Sequence, residues 1–303
     1  MLKDISVIIP VYNDSRGLKR TLDSFISQEH STVNGEIIVV DNGSNDDTLD
    51  LANDYSELYP QLITCTHENI IQSSYAARNK GLEISKGQLI SFIDANVEVG
   101  PDFLLKVNDR FSQSSVDYLG VKIIIRIDRD TLSARYNSIN DFQVSSDIKY
   151  NHYTPTCCLV VRRTVIDKVG SFDQRLESGG DWDFGQRVYQ AGFIQMFDGK
   201  IVVYHPARWS YKSLINKSKR VARGVAQLSY YNFSEYNYLF RSHFYFRRFL
   251  PSNPFKLYSK YKAKYNNTTY GQITLFAFFH LPLRVIAFIE LIKEKIRLHI
   301  AEV

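Results

Sequence analysis

Three cysteines among 303 residues are too few for a disulfide-built scaffold. Cys65, Cys157 and Cys158 form an odd set, two of them adjacent and none at metal-ligand spacing, so they read as reduced, structural thiols. Long apolar runs are also missing. The most apolar stretch, Gly271 to Glu290, is interrupted by His280, Pro282 and Arg284, which argues against a membrane span. It reads instead as a helix that packs on protein, with an amphipathic helix lying on a bilayer as the other reading. Behind Met1, the run SVIIPVY is too short for a secretory leader and lacks a small-residue cleavage site, so the expected location is cytoplasmic, including a peripheral position on the inner face of the membrane. No GxGxxG follows the first predicted strand, where Pro10 and Tyr12 stand instead, and this disfavours a dehydrogenase. No GxxxxGK[ST] occurs, which excludes a P-loop nucleotide hydrolase. Acid is nearly absent between Arg208 and Lys264, where Glu235 is opposed by Lys212, Lys217, Lys219, Arg220, Arg223, Arg241, Arg247, Arg248, Lys256, Lys260 and Lys262. Such a segment suits an anionic partner, such as a phosphorylated acceptor or an anionic membrane surface, or else a solvated helical face. A homodimer interface is an equal use for its aromatic residues. A nucleic acid partner is not expected, because no recognised module accompanies the charge.

Against these absences stands ordinary globular usage, with 44% hydrophobic and 23% charged residues, which excludes disorder. The first half alternates short apolar runs with helical patterns, the signature of βαβ units. Strands are predicted over Ile5–Val11, Glu36–Asp41, Leu62–Thr66 and Gln88–Asp94. Helices are predicted over Gly17–Ser27, Thr48–Leu58 with Asn45 or Asp46 as N-cap, and Ser73–Ser85. A further helix runs from Pro101, taken as a favourable first-turn proline, to Phe111. Beyond Tyr118 the alternation weakens, with strands at Leu119–Ile127, Thr156–Arg162 and Val202–Tyr204 and helices at Arg163–Val169 and Trp182–Ala191. The composition turns basic and aromatic after His205, so the chain divides into 1–205 and a mainly helical 206–303.

In open α/β sheets ligands bind beyond the carboxyl ends of the strands. That rule brings Asn13, Asp41 and Asp94 to one rim.

Five segments then carry a resemblance: VIIPVYN, VVDNGSNDDT, ARNKG at Ala77–Gly81, FIDAN at Phe92–Asn96 and GGDWDFGQR at Gly179–Arg187. In this order they resemble family 2 glycosyltransferases of the inverting, bacterial type, over about two-thirds of the chain, with YHPAR at Tyr204–Arg208 as a further similar element. The resemblance implies a GT-A fold, an α/β architecture with a Rossmann-like, mostly parallel central sheet flanked by helices, here with a C-terminal helical extension. It implies a nucleotide-sugar donor, UDP-linked by preference, and a glycan or lipid-linked acceptor in surface polysaccharide biosynthesis.

Residue by residue, the resemblance sets Pro10 and Tyr12 beside the base, with Asn13 on the same rim, and gives Asp41 a hydrogen bond to base or ribose. Without the resemblance Asp41 reads as a turn residue bonding its own backbone. Arg78 and Asn79 would reach the base or diphosphate, and Asp94 and Ala95 the sugar or ribose. The family's strand ends in an Asp-x-Asp-like sequence that holds a divalent cation; here Asn96 replaces the second carboxylate. Asp94, Asn96 and His205 are therefore the implied ligands for Mn2+ or Mg2+, and an imidazole with oxygens suits Mn2+ better. Asp181 matches the family's catalytic aspartate, the general base, while Gly180 stands where the family has Glu. Trp182 is assigned to sugar stacking or loop support and Asp183 to acceptor binding or helix capping. Two other readings stay open: a retaining transferase or sugar nucleotidyltransferase, and a non-catalytic nucleotide-sugar-binding or assembly subunit, suggested by Asn96 and Gly180.

Overall fold

The computed structural model describes residues 4–28, 35–139, 142–231, 259 and 270–300. Apolar runs that are buried along their whole length form the central strands, as expected where helices cover both faces of a sheet. The first βα units are β1 (Ile5–Val11), α1 (Ser15–Ile26), β2 (Gly35–Asp41), α2 (Thr48–Leu58), β3 (Ile63–His67), α3 (Ser74–Ile84) and β4 (Leu89–Ile93). Strands β3, β2, β1 and β4 pair in parallel in that order. Val11 lies opposite Asp41, so the first two strands end level on the predicted rim.

The other half of the sheet is antiparallel. After β5 (Glu98–Val99), α4 (Phe103–Gln113), β6 (Tyr118–Arg126), α5 (Leu132–Ile139) and α6 (Val144–Asn151) comes β7 (Cys158–Arg162), antiparallel to both β4 and β6. Then follow α7 (Arg163–Val169), α8 (Gly180–Gln190) and β8 (Gln195–Pro206), and β5 pairs antiparallel with β8. The eight strands are ordered β3-β2-β1-β4-β7-β6-β8-β5. The α/β class holds, with an antiparallel half completing the sheet. All three cysteines are free thiols, and burial pushes those of Cys157 and Cys158 well up.

Three predicted boundaries shift for local reasons. Phe103 N donates to Gly100 O at 3.1 Å, so Pro101 sits inside a tight turn and α4 starts at Phe103 behind Asp102. The N-cap of α2 is Asp47, while Asp46 Oδ1 accepts the Thr48 amide at 3.1 Å from one position further out. Strand β8 is 12 residues long, far beyond Val202–Tyr204. Its Asp198-Gly199-Lys200 stretch looks like a turn in sequence, but Asp198 is buried and paired with Arg110.

The contacts of the chain resolve into two compact units. The first comprises Met1–Ile124, Phe142–Arg175 and Gly180–Pro206, and holds the sheet core. The second comprises Ile125–Asp141, Leu176–Gly179 and Ala207–Val303. In it, α9 (Tyr211–Tyr231) packs on α10 (Tyr270–Ile300) through Ala222, Ala226 and Leu291, and Tyr136, Ile139, Leu214 and Leu283 form a neighbouring cluster. Gly224 has no alternative, because a Cβ there would lie 2.2 Å from the Ser178 carbonyl oxygen. Arg223 pairs with Glu177 at 2.8 Å and Glu290 at 2.7 Å, so one member of the basic segment is spent internally. Arg241, Arg247, Arg248, Lys256, Lys260 and Lys262 lie outside the described residues. Among the described residues no helix is long and apolar enough to cross a membrane.

Candidate active site

The rim beyond β1, β2 and β4 is built from short loops that bond one another. Asn13 adopts the left-handed region at φ 49, donates its amide to Ser44 Oγ at 2.9 Å and accepts the Asn45 amide through Oδ1 at 2.9 Å. This locks the loop after β1 to the loop after β2, with Pro10 buried in the strand and Tyr12 47% exposed at the edge. Asp41 is 1% exposed. Its Oδ2 accepts the amides of Gly43 at 3.0 Å and Ser44 at 2.9 Å, the turn bond read from sequence. Its Oδ1 is buried and has no partner among the described residues.

Arg78, 3% exposed, is held by Ser74 O at 3.1 Å and ion-paired through Nη2 to Asp94 Oδ1 at 2.5 Å. Its Nε is another buried atom without a partner among the described residues. Asp94 is a third exposed at the end of β4 and turns the chain by accepting the Val97 amide on its carbonyl at 3.0 Å. Ala95 is buried, its carbonyl so near α1 that a Cβ on Gly17 would meet it at 2.7 Å. Asn96 hydrogen-bonds the Asp14 carboxylate, and its Oδ1 is likewise buried without a partner among the described residues. Asp14 also caps α1 by accepting the Gly17 amide at 3.0 Å, and burial pushes its carboxyl above the ordinary range.

Asp181 sits half-buried in the first turn of α8, and its Oδ1 accepts the amide of half-buried Trp182 at 3.0 Å. Burial first, and then the charge of Asp181, pushes the phenols of Tyr118 and Tyr153 up. Gly180, immediately before it, donates its amide to the Tyr75 hydroxyl at 3.0 Å. His205 is buried on β8, one residue past the pair Glu98–Tyr204. Its Nδ1–H donates to Pro206 O at 2.8 Å, which in the neutral ring puts the ligating lone pair on Nε2.

Two residues of the sequence reading make structural bonds in this geometry. Asn79, taken for a donor contact, spends both ends of its amide on one backbone unit: Nδ2 donates to Phe172 O at 2.8 Å and Oδ1 accepts Phe172 N at 3.1 Å. Asp183, taken for acceptor binding or capping, is 4% exposed and bonded to Arg187 at 2.9 Å; Arg187 in turn donates to Val169 O and Ser171 O, tying α8 to the end of α7. Conversely, sequence reading missed Asp14 and Tyr75. An aspartate directly before a helical pattern signals a cap and could have flagged Asp14; nothing local flags Tyr75.

The residues fit a divalent cation of the sparsely held kind. Among the described residues no three His, Cys, Asp or Glu side chains gather into an all-protein cage. What they provide is a carboxylate at Asp94 and an amide oxygen at Asn96 aimed at no protein group, the few ligands expected where substrate phosphates complete the shell.

A family model described as Glycosyl transferase family 2 matches residues 6–170, more than half of the 303 residues. Glycosyltransferase AglE of Haloferax volcanii is 34% identical over 225 residues, which cover 74% of this chain and 73% of that protein. The chain belongs to glycosyl transferase family 2. Pre-mycofactocin glycosyltransferase of Mycobacterium tuberculosis is 25% identical over 242 residues, 75% of this chain and 48% of that protein. Two solved structures share the fold. Mannosyltransferase PcManGT from Pyrobaculum calidifontis, in complex with GDP-Man and Mn2+, superposes with a TM-score of 0.66 at 16% identity over 97% of this chain and 88% of its own. S. aureus TarS 1–349 in complex with UDP gives 0.52 at 19% identity over 73% and 65%. The chain is thus a family 2 glycosyltransferase with a GT-A fold.

Proposed function

We propose that this glycosyltransferase moves a sugar from a nucleotide diphosphate sugar to a glycan or lipid-linked acceptor by direct displacement with inversion. The observation that carries this reading is that, of the six buried polar side-chain atoms without a partner among the described residues, three gather at the ends of β2 and β4, where an α/β sheet takes its ligand: Asp41 Oδ1, Asn96 Oδ1 and the Nε of Arg78, which reaches there from α3 through its pair with Asp94. Buried polar atoms are ordinarily paired, so three on one rim mark a place that a polar ligand fills. Asp41 accepts from base or ribose, with Tyr12 against the base. Arg78 faces the diphosphate with a fixed charge, and Asp94, held by Arg78, orients the sugar. Asp181 takes the proton of the acceptor hydroxyl as that oxygen attacks the anomeric carbon opposite the leaving diphosphate, and one base acting in one displacement inverts that carbon.

Asp94 and Asn96, with His205 as the further ligand, would hold a divalent cation, Mn2+ or Mg2+, which would supply Lewis-acid neutralisation of the diphosphate. The GDP-Man and Mn2+ of one structural neighbour and the UDP of another support a nucleotide-linked donor. On α9, exposed Lys212 and Arg220 suit an acceptor that carries phosphate.

A thermal-shift screen of UDP, GDP, CDP and TDP with and without Mn2+ tests the donor, since a ligand that binds the native state raises its apparent stability. One nucleotide is expected to give a metal-enhanced shift. Asp181→Asn is expected to keep that shift while release of nucleoside diphosphate falls roughly 10²- to 10⁴-fold. Undiminished release by Asp181→Asn would overturn the assignment of the base, and no release by the unsubstituted protein would favour a non-catalytic binder.

A further inference from the structure

Gly180 stands directly before Asp181, and the structure shows what closes the space on its Cα. A Cβ built on Gly180 would lie 2.8 to 2.9 Å from three ring carbons of Tyr75, closer than real contacts allow. The Tyr75 hydroxyl, whose ring is 5% exposed on the first turn of α3, accepts the Gly180 amide at 3.0 Å. That amide belongs to the first residue of α8 and has no partner within the helix. Gly179, just before it, has φ +89, so two successive residues without side chains lead into Asp181. Backbone of this kind is loose unless something outside it takes hold.

Tyr75 is buried and packed at close range against neighbouring side chains. Its ring stacks on Phe172 with centroids 5.6 Å apart, and Phe172 packs at 5.0 Å on Phe92 of β4 and at 4.8 Å on Phe184 of α8. One turn further along α3 the Arg78 guanidinium lies 5.6 Å over the Tyr75 ring and pairs with Asp94. The same helix therefore grips the residues of the donor side and the start of the helix that bears the base.

The geometry points to Tyr75 as a positioning residue: its ring fills the place of the side chain that Gly180 lacks, its hydroxyl anchors the first amide of α8, and together they set Asp181 relative to the Arg78–Asp94 pair. This rests on the reading of Asp181 as the general base. Tyr75 touches no reacting atom in this scheme; it acts through the backbone of Gly180.

Tyr75→Phe keeps the ring and its stacking and removes the hydroxyl. Turnover is read as nucleoside diphosphate released from UDP-glucose and from GDP-mannose with water as acceptor. Tyr75→Phe is expected to lower kcat about tenfold or more while the donor KM stays within about twofold, because a misplaced base costs rate rather than donor affinity. Hydrogen exchange on the same variant reads the contact without turnover, and the Gly180 amide is expected to exchange roughly tenfold faster. Gly180→Ala supplies the converse: damaging beside Tyr75, and tolerated in a Tyr75→Ala background where the ring no longer collides. Unchanged kcat and unchanged Gly180 exchange in Tyr75→Phe would overturn the inference, as would a Gly180→Ala penalty that is the same in both backgrounds. Asp181→Asn run alongside separates the two levels. If it is inactive while Tyr75→Phe behaves as the unsubstituted protein, the positioning role alone fails; if it remains active, the base assignment fails and the positioning role with it.

Discussion

Replacing Asp41 by asparagine separates the two tasks of its carboxylate. Oδ2 holds the turn through the Gly43 and Ser44 amides, and Oδ1 is buried without a partner among the described residues. Asparagine keeps one carbonyl oxygen for the two amides and sets an NH2 group where Oδ1 stood. Hydrogen bonds to a charged acceptor are worth about 1.5–3 kcal/mol against about 0.5–1.5 for neutral ones, so the turn loses roughly 1–2 kcal/mol. Part of this is offset because a buried negative charge no longer has to be desolvated. The melting temperature is therefore expected to move little. Ligand binding responds differently: if Oδ1 accepts from the base or ribose, the NH2 group opposes one donor with another. The loss is about 2–3 kcal/mol, or about 30- to 150-fold in Kd. Calorimetric titration of UDP and GDP against both proteins measures it, with Asp41→Ala as the variant that loses the turn bonds as well. An unchanged Kd in Asp41→Asn would refute the reasoning and return Asp41 to a turn residue. So would a fall in melting temperature as large as that of Asp41→Ala, because Oδ2 would then account for the whole effect.

Asn79→Ala removes both bonds to the Phe172 backbone and should cost about 1–3 kcal/mol in urea unfolding with nucleotide Kd unchanged; weakened nucleotide binding at unchanged stability would restore Asn79 to the donor site. His280 of α10 packs against Tyr136 and hydrogen-bonds its hydroxyl, and burial first, then Arg284, lowers its pKa from 6.5 to about 4. Between those values the unfolded chain binds the extra proton, so this residue stabilises the fold above pH 6.5 and its contribution drains away as pH falls towards 4. His280→Leu lacks that loss, and its melting temperature minus that of the unsubstituted protein should rise as pH falls from 7 to 4; a constant difference would contradict the assignment.

Strands that are buried on both faces read as unbroken apolar runs, which is why β1 is legible from Ile5 to Val11 with no error at either end. Helix α2, over Thr48–Leu58, is equally plain because turn residues bracket it. Strand β8 defeats the same reading. Its Asp198-Gly199-Lys200 stretch has turn composition, and it stays in the strand because Arg110, 88 residues away in sequence, satisfies the aspartate. The site divides on the same line. Asn13, Asp41 and Asp94 are brought to one rim by the rule that ligands bind at strand ends in α/β sheets, whereas Arg78, on α3, is reached only through the family resemblance. What Asn79 and Asp183 do is decided by the partners Phe172 and Arg187, and the i, i+4 pair of Asp183 with Arg187 was the one local clue.

The two departures from the family pattern carry more meaning in the structure than in the sequence. Read alone, Asn96 removes a charge from a metal site and Gly180 removes an acid beside the base, and both suggest decay. In the fold each is matched by a neighbour. Asn96 spends its NH2 on Asp14, whose carboxyl is already pushed up by burial; an aspartate at 96 would set a second carboxylate against it, and like charges at hydrogen-bond distance cannot both stay ionised cheaply. The amide avoids that repulsion and fixes its own orientation, with the carbonyl oxygen left for a ligand. Gly180 is matched by Tyr75, whose ring leaves no room for any side chain there and whose hydroxyl takes the amide. A site losing its function would be expected to collect cavities and unmatched charges. Here both substitutions are fitted to their surroundings, Asn96 to Asp14 and Gly180 to Tyr75, which is the mark of a maintained site rather than a decaying one.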